Sequence, residues 1–426
     1  MRILVTGAQG FVGRAVVSRL VSSGFEVTAL SRANTRGTDE HVRSVVGDIT
    51  DAASLDAAFS GVDALVHLAA RLGDEQDSYR VNVEGTQHLV DACKKSGVRH
   101  IVYISTASVK IKRKGIYAST KQAAEELLRT SGIKTTILRP SIVYGDLEHG
   151  VFASVAKSGT LPFVPVFGTG RWASRPIHVD DVARMIEIAL SHGSVQGNTY
   201  DVGGPDTLSF DELIRTVSRE LFARRARILH VPVSLGMVAA SMLGRCMKNP
   251  PLTRSNILGS TQDIEWDAGT AFTDFGFVPR TFADGLHAIV REEEKKDADV
   301  LSTYLYSRSG QSYRISPHMR ERYARARSVN HVGPLHPMVR KTPALLGPID
   351  AATKLLRPHG TFQARILLIS ALVEADTASA QWLLPRERSV AALFGRTLLL
   401  LCSASLKISA GVILSLIPGF LFTYGK

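Results

Sequence analysis

The sequence predicts an α/β protein: a doubly wound parallel sheet, then a smaller mixed lobe, then a mainly helical C-terminal appendage. Three observations predict it. Over residues 1–145, short β-branched runs alternate with segments whose apolar residues recur at helical spacing. That rhythm calls for a parallel sheet with helices on both faces. Beyond Gly145 the rhythm breaks up, and from residue 301 onward the charge changes, with 16 Lys and Arg against 5 Asp and Glu.

In order, Ile3–Thr6, Glu26–Arg32, Arg43–Asp48, Ala64–Ala70, His100–Thr106 and Thr135–Pro140 read as strands. Helical patterns at Val12–Ser23 and Val83–Ser96 end near Gly24 and Gly97, where a glycine can close a helix. After a Pro/Gly-rich stretch, Ser158–Gly170, a helix is expected over Val179–His192 and a strand over Asn198–Val202. Gly203-Gly204-Pro205 then leads into a helix at Phe210–Leu221. Residues 146–178 and 203–290 supply most of the substrate lobe. Glu292-Glu293-Glu294-Lys295-Lys296 reads as a solvated helix end that closes a first domain at 299. Residues 300–388 form a basic, partly helical linker, and 389–426 an apolar tail.

Composition narrows the function. A hydrophobic content of 45% over 426 residues can bury a core in at least two units. Cys93, Cys246 and Cys402 are odd in number and far apart, which fits neither a disulfide framework nor a zinc site, so a reducing compartment is expected and no metal. The N-terminus runs straight into a strand with no leader pattern, which predicts a cytoplasmic protein. The formal charge of +12 invites a nucleic-acid reading, but residues 1–300 carry 35 Lys and Arg against 34 Asp and Glu. The excess sits in the appendage, and no nucleic-acid partner is expected.

Thr6-Gly7-Ala8-Gln9-Gly10-Phe11-Val12-Gly13 lies between the first strand and first helix, the context that a dinucleotide fingerprint requires. Gly7 permits the tight turn, Gly10 lets amides near Phe11 and Val12 approach a pyrophosphate, and Gly13 lets helix and strand pack closely. This predicts a Rossmann-type nucleotide site. The second strand ends in Ser31-Arg32 rather than a carboxylate, and an arginine there pairs with a 2′-phosphate, so NADP(H) is favoured over NAD(H). Asp48-Ile49 after the third strand is placed to meet the adenine; Asp48 could equally cap a helix starting near Asp51.

Tyr117-Ala118-Ser119-Thr120-Lys121 opens a helix, Ala123–Arg129, directly after the fifth strand. A spacing of four puts the phenol and the ammonium on one face, where the cation, together with cofactor charge, favours phenolate and makes an acid/base. Ser105-Thr106-Ala107-Ser108 ends the preceding strand, where a hydroxyl can polarise a substrate oxygen.

With His67-Leu68-Ala69-Ala70, Arg139-Pro140-Ser141-Ile142-Val143-Tyr144-Gly145 and Arg175-Pro176-Ile177-His178-Val179-Asp180-Asp181-Val182, these motifs resemble, in order over roughly residues 1–290, the extended short-chain dehydrogenases. These are the nucleotide-sugar epimerases, dehydratases and reductases. The resemblance implies that Thr106 polarises the substrate and Tyr117 is the acid/base. It implies that Lys121 holds the nicotinamide ribose, with Pro140, Ser141, Ala69 and Ala70 also along the cofactor. Ser108 is read as facing substrate. Arg175 matches an arginine that contacts the substrate diphosphate, and an ion pair with Asp180 or Asp181 is its equal alternative.

Only ten residues separate Thr106 from Tyr117, and they include Lys110-Ile111-Lys112-Arg113-Lys114, a shorter loop expected to open the site and make it basic. Ala107-Ser108 replaces an acidic pair, which argues against loss of water. His67, His149 and His178 have no partner at ligand spacing, so structural roles are expected for them.

In the appendage, residues 308–366 hold 11 Lys and Arg against Glu321 and Asp350, and 389–424 are apolar apart from Arg396 and Lys407. A through-going helix would place Lys407 near mid-bilayer at a cost of ~2.5–3.5 kcal/mol. Peripheral attachment to an anionic membrane surface is therefore expected ahead of a span, the alternative being burial in a helical subdomain or a homodimer contact. Three functions remain: a nucleotide-sugar reductase or epimerase, a short-chain dehydrogenase of a lipid-like alcohol or ketone, and a non-catalytic nucleotide-binding member.

Overall fold

The computed structural model describes residues 1–309 apart from 34–40, 73, 160–162, 223–224, 247–256 and 258–261. The expected linker charge beyond 309 and the apolar tail lie outside the described residues. The chain divides into two compact units, Met1–Val217 with Ala226–Leu286, and Ser218–Arg225 with the chain from His287 onward.

In the first unit, β1 (Arg2–Thr6), β2 (Glu26–Ser31), β3 (Val42–Val46), β4 (Ala64–His67), β5 (His100–Ile104) and β6 (Lys134–Pro140) join the Thr199–Val202 strand in one seven-stranded sheet. Its order runs from Thr199–Val202 through β6, β5, β4, β1 and β2 to β3, and every pairing is parallel. Chain order reverses between β4 and β1. In such sheets a ligand binds beyond the carboxyl ends of the strands at that reversal.

The helices are α1 (Phe11–Ser22), α2 (Glu75–Tyr79), α3 (Gly85–Ser96), α4 (Ile116–Thr130), α5 (Gly150–Ser158) and α6 (Val179–Ser191). Two cores follow, one per face of the sheet. Val16 and Leu20 of α1 pack with Met185 and Ile186 of α6. Leu89 and Cys93 of α3 pack with Ala124 and Leu128 of α4 on the other face. Burial pushes the Cys93 thiol up to about 12, so it behaves as a small apolar group.

Sheet and helices lie where periodicity puts them, with ends shifted by a few residues. The largest shift is in α4, which starts at Ile116 and so contains Tyr117 and Lys121. Three features escaped the sequence. Ser158–Gly170 is not wholly irregular, because Val164–Phe167 pairs in parallel with Ile228–Val231. A π-helical turn, Arg80–Glu84, links α2 to α3. The charged run at 292–296 does not end a helix but lies inside Phe282–Ser309, with Glu293 buried and paired to Lys296 at 2.9 Å. Among the described residues no helix is long and apolar enough to cross a membrane.

Candidate active site

The ends of β1, β4, β5 and β6 bring Gly7, Ala69, Ala70, Thr106, Pro140 and Ser141 to one edge of the sheet. At Gly7 φ is +69°, and a Cβ would lie 2.8 Å from the Ala69 nitrogen. A Cβ on Gly13 would come within 2.1 Å of the Gly7 oxygen, so α1 can start this close to β1 only with glycine there. Gly10 caps α1 without a side-chain acceptor, which leaves the first-turn amides near Phe11 and Val12 available to an anion. This cradle fits a dinucleotide pyrophosphate.

A buried chain of hydrogen bonds fixes the cradle's floor. The Thr6 hydroxyl receives the Leu68 and Ala69 amides, both at 3.3 Å, and meets His67 Nδ1 at 2.8 Å. Thr86 donates to the Asn82 carbonyl at 2.7 Å, so its oxygen can only accept from His67 Nε2 at 3.1 Å. That assigns the neutral Nε2–H tautomer, and burial holds the imidazole down at about 3. His67 is thus a core group, as its spacing implied. Asn82, on the π-turn, holds both the amide and the carbonyl of Arg71 and donates to Thr120 at 3.0 Å on α4.

Ser31 is buried and donates to the Ala33 carbonyl at 2.6 Å, while Arg32 is exposed at the end of β2. Asp48 accepts from the Thr50 amide and hydroxyl, both at 2.9 Å. It does not cap the following 3-10 turn; Asp51 does, through Ala53. The Ile49 carbonyl meets His88 at 2.9 Å, and the Ile49 side chain fills the space beside Gly85.

Tyr117 and Lys121 are one turn apart on α4. Lys121 is wholly buried, donates to the Ile104 carbonyl at 2.6 Å and lies 4.1 Å from the Tyr103 ring centroid. Burial pulls its ammonium down to about 7, although Glu125 one turn on supports the charge. Burial also pushes the Tyr117 phenol up to about 12. In the chain alone burial therefore governs the phenol, and the phenolate expected from the sequence rests on the ammonium together with cofactor charge. Thr106 sits at the head of the loop after β5 and accepts the Ser108 amide at 3.2 Å.

Glu125 was not singled out by the sequence. It is fully buried and accepts from Ser105 at 2.6 Å, from Arg139 Nε and Nη2 at 2.9 and 2.6 Å, and from Arg129 at 2.7 Å. Burial alone would raise it, but these hydrogen bonds and the two guanidinium charges hold it below the ordinary carboxylate value. Its spacing of four from Lys121, on the inner face of α4, was the available signal.

On the substrate side, Ser141 accepts the Arg175 amide at 3.2 Å, and its own amide donates to Val202 at 2.9 Å. Arg175 is not paired with Asp180 or Asp181. Its Nε and Nη2 donate to the carbonyls of Gly204 and Pro205 at 2.9 and 3.1 Å. Arg280 takes the Asp181 carboxylate instead, through Nε and Nη2 at 3.0 and 3.1 Å. The loop after Thr106 is not open either. Lys110 pairs with Asp201 at 2.6 Å, and Arg113 exchanges hydrogen bonds with Gln262 at 3.0 and 3.1 Å.

Residues 3–203 match the NAD dependent epimerase/dehydratase family. A 2-alkyl-3-oxoalkanoate reductase of Stenotrophomonas maltophilia is 27% identical over 324 residues, covering 68% of this chain and 98% of its own. The N-acetyl-alpha-D-glucosaminyl-diphospho-ditrans,octacis-undecaprenol 4-epimerase of Escherichia coli O157:H7 is 26% identical over 328 residues, covering 69% and 97%. Among solved structures, a dTDP-glucose 4,6-dehydratase of Streptomyces venezuelae with NAD bound superposes with a TM-score of 0.55 at 27% identity, over 69% of this chain and 97% of that one.

Proposed function

We propose, from the match of residues 3–203 to the NAD dependent epimerase/dehydratase family, that the protein reduces or epimerises a nucleotide sugar at a carbon–oxygen centre. The observation that carries the reading is the set of Thr106, Tyr117 and Lys121, held at the carboxyl ends of β5 and α4's first turns beside the Gly7–Gly13 cradle. In the cradle, a bound nicotinamide dinucleotide would supply the hydride acceptor or donor. Gly7, Gly10 and Gly13 would admit its diphosphate, and Ala69, Ala70, Pro140 and Ser141 would line its nicotinamide half.

Tyr117 gives or takes the proton at the substrate oxygen, and Thr106 shares that oxygen through its hydroxyl. Lys121, fixed by the Ile104 carbonyl, holds a ribose hydroxyl and lends positive charge when protonated. With its phenol pushed up to about 12, Tyr117 is protonated at neutral pH but a weak acid, and positive charge beside it would ease both giving and taking a proton. Ala107-Ser108, without an acidic pair, gives no second acid/base for loss of water.

The relatives support this reading with one at an epimerase of a diphospho-linked sugar and one at a dehydratase of a dTDP-sugar. A second reading, a lipid-like ketone as substrate, is favoured by the engaged Nε and Nη2 of Arg175 and by the reductase relative. Thermal shifts with UDP-, dTDP- and GDP-sugars against 2-alkyl-3-oxoalkanoates, with NADH or NADPH present, decide between them. Stabilisation by the oxoacids alone would overturn the sugar reading. The preference for NADP(H), attachment of the C-terminal region to an anionic membrane and a homodimer remain part of the proposal, resting on Arg32, on the basic and apolar runs beyond 309, and on the alternative burial of those runs.

A further inference from the structure

Residues 262–267 have no regular structure, yet four contacts pin them on two sides. Gln262 exchanges hydrogen bonds with the backbone of Arg113, and Asp263 accepts the Ala173 amide at 3.2 Å. The Glu265 carbonyl accepts from Lys110, and the Asp267 amide donates to Asp201 at 3.2 Å. The segment thus joins the loop that begins at Thr106 to the strand two residues before Arg175. Trp266 lies in it, with a buried indole N–H that has no hydrogen-bond partner among the described residues.

Lys110 is the centre of this arrangement. Its side chain, 28% exposed, bridges the Asp201 carboxylate at 2.6 Å to the Glu265 carbonyl. Asp201, 7% exposed, sits on the last strand of the sheet, in register with Arg139, which in turn holds Glu125 and, through it, Ser105. The cation therefore ties an irregular segment to the last strand of the parallel sheet. A neutral side chain of equal length would leave both Asp201 and the Glu265 carbonyl short of a donor.

We propose that Lys110 is a positioning residue for substrate: clamped between Asp201 and Glu265, it holds residues 262–267 as the cleft wall between Thr106 and Arg175 and so sets which substrate fits. This rests on the carbonyl–alcohol reading above, and the wall's makeup deepens it. Trp266, half-buried on that segment, offers an aromatic plane suited to packing against a ring.

The test is hydrogen exchange on the full chain with NADH, comparing wild type, Lys110→Met, Lys110→Arg and Asp201→Asn. Exchange in 262–267 should rise about tenfold in Lys110→Met and Asp201→Asn, stay near wild type in Lys110→Arg, and not change in 3–6 or 64–67. With the substrate that stabilises wild type most, KM should rise about fivefold in Lys110→Met while kcat and the NADH dissociation constant move less than about twofold. Unchanged exchange in 262–267, a rise spread equally over the sheet in both variants, or a fall in kcat without a rise in KM would overturn the proposal. If no nucleotide sugar binds wild type, the sugar reading fails, and the exchange data still decide the role of Lys110.

Discussion

In the glycine turn of the cradle, contacts run between near neighbours and through backbone, Gly7 to Gly10 at 3.0 Å and Gly13 against the Gly7 oxygen, while the floor beneath it joins Thr6 to His67, 61 residues on. On the substrate side, the corresponding contacts run between charged side chains far apart in the chain: Lys110 with Asp201, 91 residues away, and Asp181 with Arg280, 99 away. The first arrangement tolerates almost no variation, because a single Cβ blocks it. The second can be rebuilt with other charge pairs, which suits a lobe that adapts to different substrates on one catalytic platform. The helix α4 links the two, sharing Asn82 with the cradle and Glu125 with the ion pairs.

The sharpest way to break this comparison is at the platform. Tyr117→Phe is expected to lower turnover by about 10²–10⁴-fold, while the NADH dissociation constant stays within about twofold, because the ring remains and the proton donor does not. Steady-state turnover beside fluorescence titration measures both; turnover within threefold of wild type would remove Tyr117 from the chemistry.

Arg280→Ala tests the charged side. Asp181 is 9% exposed, and without its bidentate partner the variant should lose about 3 kcal/mol in urea unfolding. The cradle should still bind NADH once folded. A loss below about 1 kcal/mol would mean that the residue-280 backbone amide and water satisfy the Asp181 carboxylate instead.

Lys121 separates burial from function. Its folded value, about 7, lies below the unfolded 10.5, so between those values the unfolded chain binds more protons and stability rises with pH. Below about 7 the full cost of the buried cation is present. Lys121→Met should therefore be more stable than wild type at pH 6, on the order of 1–2 kcal/mol, with the gain fading toward pH 10. Thermal melts of the chain without cofactor at pH 6, 8 and 10 check it; a gain that does not depend on pH would show that packing, not charge, is the cause.

The smallest effect is expected at the cradle's rim. NADPH should bind more tightly than NADH, and Arg32→Ala should reduce that difference by roughly fivefold, as an exposed guanidinium contributes about 1 kcal/mol to a phosphate. Equal affinities in the unmutated protein would rule the preference out.

Sequence alone determined the sheet, its helices, the glycine cradle and the Tyr117–Lys121 pair, since each is written in contiguous residues: β-branched runs, helical spacing, a turn that only glycine can make, and an interval of four. It also marked His67 as structural. Tertiary structure alone decided which arginine meets Asp181, that Lys110 folds inward against Asp201 instead of making the site basic, and that Glu125 receives three side chains at once. It also decided the direction in which Tyr117 and Lys121 are shifted, because desolvation depends on everything packed around a group rather than on its neighbours in the chain. Charge pairs across 90 residues carry no local pattern, and their partners are chosen only when the sheet has brought the strand ends together.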